Sequence, residues 1–270
     1  GGKKKALASV LAGLAMVAAT AGTPVQADGN YGGSAVNITP NAYNGSNRTS
    51  PNSVVVGYQN DTTGGSGNGH IVYGANNVAN QDSSMALGNQ NIATGPAASA
   101  IGVGSQATGR NTIAVGNVAK ASNTDNIAIG TYSEALTSGQ DAYALAMGSY
   151  AKANANMAVG IGAIAKATGN ESTAVGAGST ASGANSTALG ARNTASGLRS
   201  VAIGKDNNAT AEDTIAMGKA NTAAVGGAVA IGMDNVANST LNGGRAEGNS
   251  MVAIGKANKA TQEDTVAIGR

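Results

Sequence analysis

The sequence predicts an all-β fold, a parallel β-solenoid of about 14 short turns, and three observations predict it. The first is a phrase of bulky apolar residue, alanine, bulky apolar residue and glycine. It reads Met85-Ala86-Leu87-Gly88, Ile113-Ala114-Val115-Gly116, Val201-Ala202-Ile203-Gly204 and Val266-Ala267-Ile268-Gly269. Its closing glycines are Gly74, Gly88, Gly102, Gly116, Gly130, Gly148, Gly162, Gly176, Gly190, Gly204, Gly218, Gly232, Gly255 and Gly269, with steps of 14 residues apart from one of 18 and one of 23. The second is that the fifth residue after each glycine from Gly74 to Gly255 is alanine, from Ala79 to Ala260. The third is composition: no Cys, Trp or Phe, seven Tyr and 41 Gly in 270 residues cannot build a globular core of large side chains. A fixed period this short is that of a solenoid, in which one repeat makes one turn and neighbouring turns bury each other's faces.

Within one turn, the three residues before the glycine alternate like a strand, and β-branched residues dominate the outer pair. From Gly88 onward the middle residue is alanine, except Gly160. A solvated face would admit Lys, Glu or Thr there, so both faces of this strand are expected to be buried. Small residues three and five places after the glycine, such as Ser105 and Ala107 or Ser179 and Ala181, suit a second strand covering one face. Nothing in the chain offers a cover for the other, so another copy of the chain is expected there, packed by rotational symmetry. The repeat glycines, Gly88, Gly102, Gly116, Gly130, Gly176, Gly190, Gly204, Gly218, Gly232 and Gly255 among them, are expected at the corner between the strands, where positive φ or close backbone approach excludes a side chain. Gly95, Gly109, Gly169, Gly183 and Gly197 suit a return corner, and Glu212-Asp213 and Glu263-Asp264 a solvated turn.

Taken from the start, residues 1–27 read as a cleaved export signal: Lys3 to Lys5, an apolar run Ala6 to Ala19, and Val25-Gln26-Ala27 before the cleavage point. The alternative, a membrane anchor, needs an apolar stretch of about 20 residues. Without Lys3, Lys4 and Lys5 the 16 basic residues fall to 13 against 14 acidic ones, so charge gives no support for binding nucleic acid or anionic membranes. Residues 28–70 form a lead-in rich in Asn, Gly, Ser and Thr, expected to cap the repeats that run from 71 to 270. Disorder is the other reading of its first part, and Val54-Val55-Val56-Gly57 resembles a degenerate first turn. The two long steps are expected to be surface loops, one near Thr137 to Asp141 and one carrying the candidate contact residues Asn242, Arg245 and Glu247. Lys205, Lys219, Lys256 and Arg270 are expected to pair with Glu212, Asp213, Glu263 and Asp264.

Chemistry finds no foothold. The single histidine, His70, lies in a Gly-rich stretch and is expected to be a solvated turn residue; no triad, zinc site or other cofactor site assembles around it. Phrases such as Gly102-Val103-Gly104 open no helix, so dinucleotide and phosphate readings fail, and the calcium-binding nonapeptide does not recur. No catalytic, cofactor or metal residue is assigned.

The phrases Asn170 to Gly183, NESTAVGAGSTASG, and Asn185 to Gly197, NSTALGARNTASG, carry a resemblance. Over roughly residues 71 to 270 the chain resembles the YadA-like head of trimeric autotransporter adhesins. That resemblance implies a left-handed parallel β-roll, packed as a homotrimer and displayed at a bacterial surface. Bottom-up, the general rule for parallel crossovers favours the opposite hand. The family continues into a stalk and a membrane β-barrel anchor, of which this chain shows neither heptads nor alternating ten-residue strands, so it reads as a fragment that stops at Arg270, one residue into a new turn.

Two function classes remain. One is a non-enzymatic adhesin head whose partners are its own copies and a host matrix protein, a cell-surface receptor or other bacteria, held through many weak contacts. The other is a single-chain structural or ice-binding solenoid, which would show a stacked Thr-x-Thr face; threonines before the glycine, Thr112, Thr173 and Thr187, do not stack in paired rows.

Overall fold

The computed structural model describes residues 36–38, 50, 52–63, 68–141, 143–238 and 250–270. Residues 1–27 and the stretch with Asn242, Arg245 and Glu247 lie outside the described residues. All described regular structure is β, arranged as parallel solenoid in two compact units, Gly1–Val118 and Ala119–Arg270.

In the first unit the glycine phrase forms strands Val54–Tyr58, Ile71–Ala75, Met85–Asn89, Ser99–Val103 and Ile113–Asn117, each parallel to the next. Short strands Val78–Ala79, Ile92–Ala93 and Gln106–Ala107 form the opposite wall. This sheet begins upstream of residue 71. Val36–Ile38 pairs with Val54–Val56, and Gly57 stands opposite Gly74. Thr62, five residues after Gly57, is fully buried where later turns place alanine.

The second unit repeats the plan, from Ile127–Ile129 to Val266–Gly269 on one wall and from Lys120–Thr124 to Lys259–Ala260 on the other. The longest step does not disturb register, since Gly232 pairs with Gly255. The 18-residue step is not a separate loop. It lengthens the short-strand wall into Glu134–Asp141 against Lys120–Thr124, with a register shift after Ser122. Asn126 ties the irregularity down: its Nδ2 donates to Thr137 Oγ1 at 2.9 Å and Ala135 O at 3.1 Å, and its Oδ1 accepts from Ala144 N at 2.7 Å.

The orientation of the strand is now explicit. The middle alanine faces the interior: Ala86, Ala100, Ala114, Ala128, Ala146, Ala174 and Ala202 are fully buried, as are the fifth-place alanines. Two small walls meet here, and from Ala86 onward the pleated interior is filled by methyl groups, while Val55 and Val72 fill the same place in the first turns. The outer apolar pair stays half-exposed, for instance in Val201–Lys205 and Val252–Lys256. The expectation of two buried faces therefore holds for one face of the single chain, because no segment among the described residues lies over the other.

The glycines are corrected in one detail. In the five-residue glycine-phrase strands the glycine is the next-to-last strand residue, and the corner follows two residues later at positive φ, at a non-glycine such as Gln90 or Asp206 and, after Ser99–Val103, at Gly104. Gly204 has φ +116, and a Cβ there would overlap the carbonyl oxygen of Gly218 on the next turn. Both the left-handed backbone and the close approach exclude a side chain. At Gly183 φ is not in that region, and the reason is contact alone, since a Cβ would meet the carbonyl of Gly197.

Candidate interaction surface

Three features of the turn position the outward residues. The first is a buried amide ladder. Asn193, Asn207, Asn221, Asn235 and Asn258 occupy the third place after successive glycines and stack in the second unit. Asn207 is typical: its N–H and Nδ2 both donate to Asn193 Oδ1 at 3.0 Å, and Nδ2 also donates to Ile203 O at 2.9 Å and Gly218 O at 2.8 Å. Every polar atom of the buried amide has a partner, as burial demands. Asn60, Asn77 and Asn91 make the same ladder in the first unit. Sequence reasoning missed it by reading the third place as merely small; the recurring Asn was the signal.

The second feature is the row four residues before each glycine. Ser172, Ser186 and Ser200 are fully buried in it, and their hydroxyls find no partner among the described residues. His70 stands in the same row and corrects the expectation of a solvated turn: it is 1% exposed, with Nδ1 3.0 Å from Ser84 Oγ and Nε2 unpartnered among the described residues. The row points inward because it immediately precedes the strand. Met251, which follows the 23-residue step, is the other large side chain at this place among the described residues.

The third is the outer face of the glycine-phrase strands. In the second unit its paired positions form an apolar ribbon, Ile127 and Ile129, Leu145 and Met147, Val159 and Ile161, and from Val201 and Ile203 to Val266 and Ile268, interrupted by Thr173 and Thr187. A contiguous exposed apolar face of this kind marks an interaction surface.

Charge sits at the corners. Arg192 makes a bidentate pair with Asp206, Nε to Oδ1 at 2.6 Å and Nη2 to Oδ2 at 3.0 Å. Arg199 does the same with Asp213 at 2.6 and 2.8 Å and also reaches Glu212 at 2.5 Å. The hydrogen bonds from Arg192 and Arg199 hold the Asp206 and Asp213 carboxyls below the usual carboxylate range. Glu212 and Asp213 therefore pair with Arg199 one turn earlier, not with the lysines that follow the glycines; Lys205 and Lys219 act on Asp206 at longer range. One turn is 14 residues, so corner residues stack directly and opposite charges on adjacent turns are neighbours. Lys152 pairs with Glu134 at 2.7 Å on the short-strand wall by the same logic. Among the described residues no group of three or more metal-ligating side chains comes together, and no helix is long and apolar enough to cross a membrane.

No curated protein matches the chain. A family model described as the YadA head domain repeat, in two copies, matches residues 74–91, 93–119, 107–133, 153–179, 181–207, 209–235 and 246–270. Those matches follow the stacked turns and cover most of the chain. With its parallel strands, repeat glycines and alanine interior, the chain belongs to the YadA head domain family, the repeat-built, non-enzymatic head of surface-exposed trimeric autotransporter adhesins.

Proposed function

We propose that three copies of this chain pack their apolar ribbons together to form an adhesive head at a bacterial surface. Its outward walls attach to host extracellular matrix, host cells or other bacteria. Residues 1–27 act as a cleaved export signal, residues 28–70 cap the repeats of 71–270, and the head is held at the outer membrane. Arg245 and its neighbours Asn242 and Glu247 are the proposed contact loop. The carrying observation is the apolar ribbon, which no segment of the described chain covers. Trimer formation repeats each outward contact three times, and linked weak contacts gain about 10²–10⁴ in avidity.

Sedimentation equilibrium of the full chain, followed by binding to immobilised matrix proteins and whole cells, tests this. The wild-type chain is expected to be trimeric. Ile203→Asp places a charge on the ribbon without touching the alanine interior, and is expected to yield folded monomers with far weaker attachment. A well-folded monomeric wild type overturns the reading.

A second reading has one observation in its favour. On the short-strand wall Thr180 pairs with Thr194 and Asn208 with Thr222, and Ser182, Ser196 and Thr210 add an outward row beside them. Such a hydroxyl array suits ordered water, and a thermal-hysteresis measurement on the same sample separates an ice-binding solenoid from an adhesin.

A further inference from the structure

In two turns of the second unit the apolar ribbon does not stop at the ends of its strand. Tyr143 precedes Leu145–Met147 and Tyr150 follows it; Met157 precedes Val159–Ile161 and Ile164 follows it. These four corner side chains are 50%, 51%, 49% and 54% exposed. The corners of the later turns carry Glu171, Arg192, Arg199, Asp206 and Asp213 instead, with bidentate ion pairs between neighbours. Tyr132, one turn before Tyr150, stacks on it with centroids 5.1 Å apart and 19° between planes, so this edge is an ordered ridge.

Left-handed backbone recurs at the corners of most turns, as at Gln90, Val118, Arg192 and Asp206, and here it is held by large apolar side chains. Tyr143, Tyr150, Met157 and Ile164 all have left-handed φ, at +40°, +57°, +52° and +62°. That conformation disfavours large side chains and β-branched ones most of all. Gly178 holds the place of Ile164 one turn later, at φ +67°. Ile164 thus holds a left-handed corner while standing 54% exposed.

We infer that these two turns are where neighbouring copies grip one another: the Tyr150–Ile164 edge of one copy packs against the Tyr143–Met157 edge of the next. The inference rests on the reading that the ribbon faces other copies. A rotation axis running along the solenoid keeps each turn at one height, so the trailing edge of a turn meets the leading edge of the same turn in the next copy. Such a contact is heterologous and needs two different complementary edges, whereas a two-fold contact reuses one. Apolar edges on both sides of the ribbon, in the same two turns, meet that requirement. Tyrosine and large apolar side chains at the centre of such a contact are the residues on which its strength depends.

The chain has no cysteine, so introduced thiols report without background. The test is the full chain carrying Met157→Cys, Ile164→Cys or both, treated with a short bismaleimide and run on a denaturing gel beside sedimentation of the same samples. Covalent trimers from the double variant and none from either single variant are expected. In untreated protein Tyr150→Ser is expected to weaken assembly at least about tenfold while the dilute monomer remains folded, losing only its stack on Tyr132. Sedimenting trimers that yield no covalent product in the double variant overturn the edge contact and leave the ribbon reading standing. Cross-linked pairs from Ile164→Cys alone overturn the heterologous geometry. A wild-type monomer overturns both readings together.

Discussion

Two stretches of the second unit share one period and solve the turn differently. From Gly130 to Gly176 the glycine-phrase strands are three residues long, as in Leu145–Met147, and the third place after the glycine holds Ser133, Ala151, Ala165 or Ser179. There the glycine carbonyl accepts locally, Gly148 O from Ala151 N and Gly162 O from Ala165 N, both at 3.2 Å, which curls the chain into a tight turn. From Gly190 onward the third place is asparagine. Its Nδ2 takes the carbonyl of the next turn's glycine, and the interior strands run on for five residues through the glycine. A side-chain amide thus replaces a backbone turn. The asparagine stretch is also the one with charged corners, and the curled stretch is the one with exposed tyrosines. One stretch is stabilised by bonds between its own turns; the other leaves its apolar corners exposed.

The comparison can be broken at its glycines, where the largest effect is expected. Gly204→Ala meets both the backbone strain of a left-handed alanine and overlap with the Gly218 carbonyl, and should cost more than about 4 kcal/mol, read by denaturant unfolding of the full chain. Gly162→Ala carries the same strain, but its Cβ lies 2.9 and 3.0 Å from Gly176 carbonyl atoms, a smaller backbone overlap than the 2.1 Å approach at Gly204. Strain contributes about 1–3 kcal/mol there, and the smaller overlap leaves the total below that of Gly204→Ala. Equal losses at the two sites would show that the turn types do not differ in spacing.

The amide ladder comes next. Asn207→Ala removes donors to Ile203 O and Gly218 O and an acceptor for Asn221 N, leaving buried groups unpaired at about 1–3 kcal/mol each before relaxation. A net loss of about 3 kcal/mol is expected, against about 1 for Ser179→Ala, which gives up a single 2.9 Å bond to Gly190 O and a longer one from Asn193 N. A loss below about 0.5 kcal/mol at Asn207 would mean that the turn simply recurls in the manner of the alanine turns.

The smallest effect is expected at the corner ion pairs, which are solvent-exposed and screened. Arg199→Ala should barely move the unfolding midpoint at pH 7. Its pH dependence carries the information. Because Arg199 depresses the folded-state value of Asp213, the pair contributes stability above the unfolded carboxylate value of about 3.9 and loses it as pH falls below that. The small gap between wild type and Arg199→Ala should therefore close in acid. A gap that widens instead would assign the effect to a group other than Asp213.

Much of this molecule was determined by sequence alone, because stacking acts on every turn alike. A parallel ladder with one turn per period makes each position meet its own copy, so spacing reveals the repeat and a recurring Ala202, Ala216 and Ala230 reveals a confined face. Tertiary structure decided what depends on direction and on neighbours. It turned the alanines inward, assigned Arg199 rather than a lysine to Asp213, and buried His70, whose place in the row before the strand is visible only once Ile71 is paired with Val54 and Met85. It also separated the asparagine turns from the alanine turns. That distinction rests on whether a carbonyl points along its own turn or toward the next, a choice set by hydrogen-bond partners a full turn away.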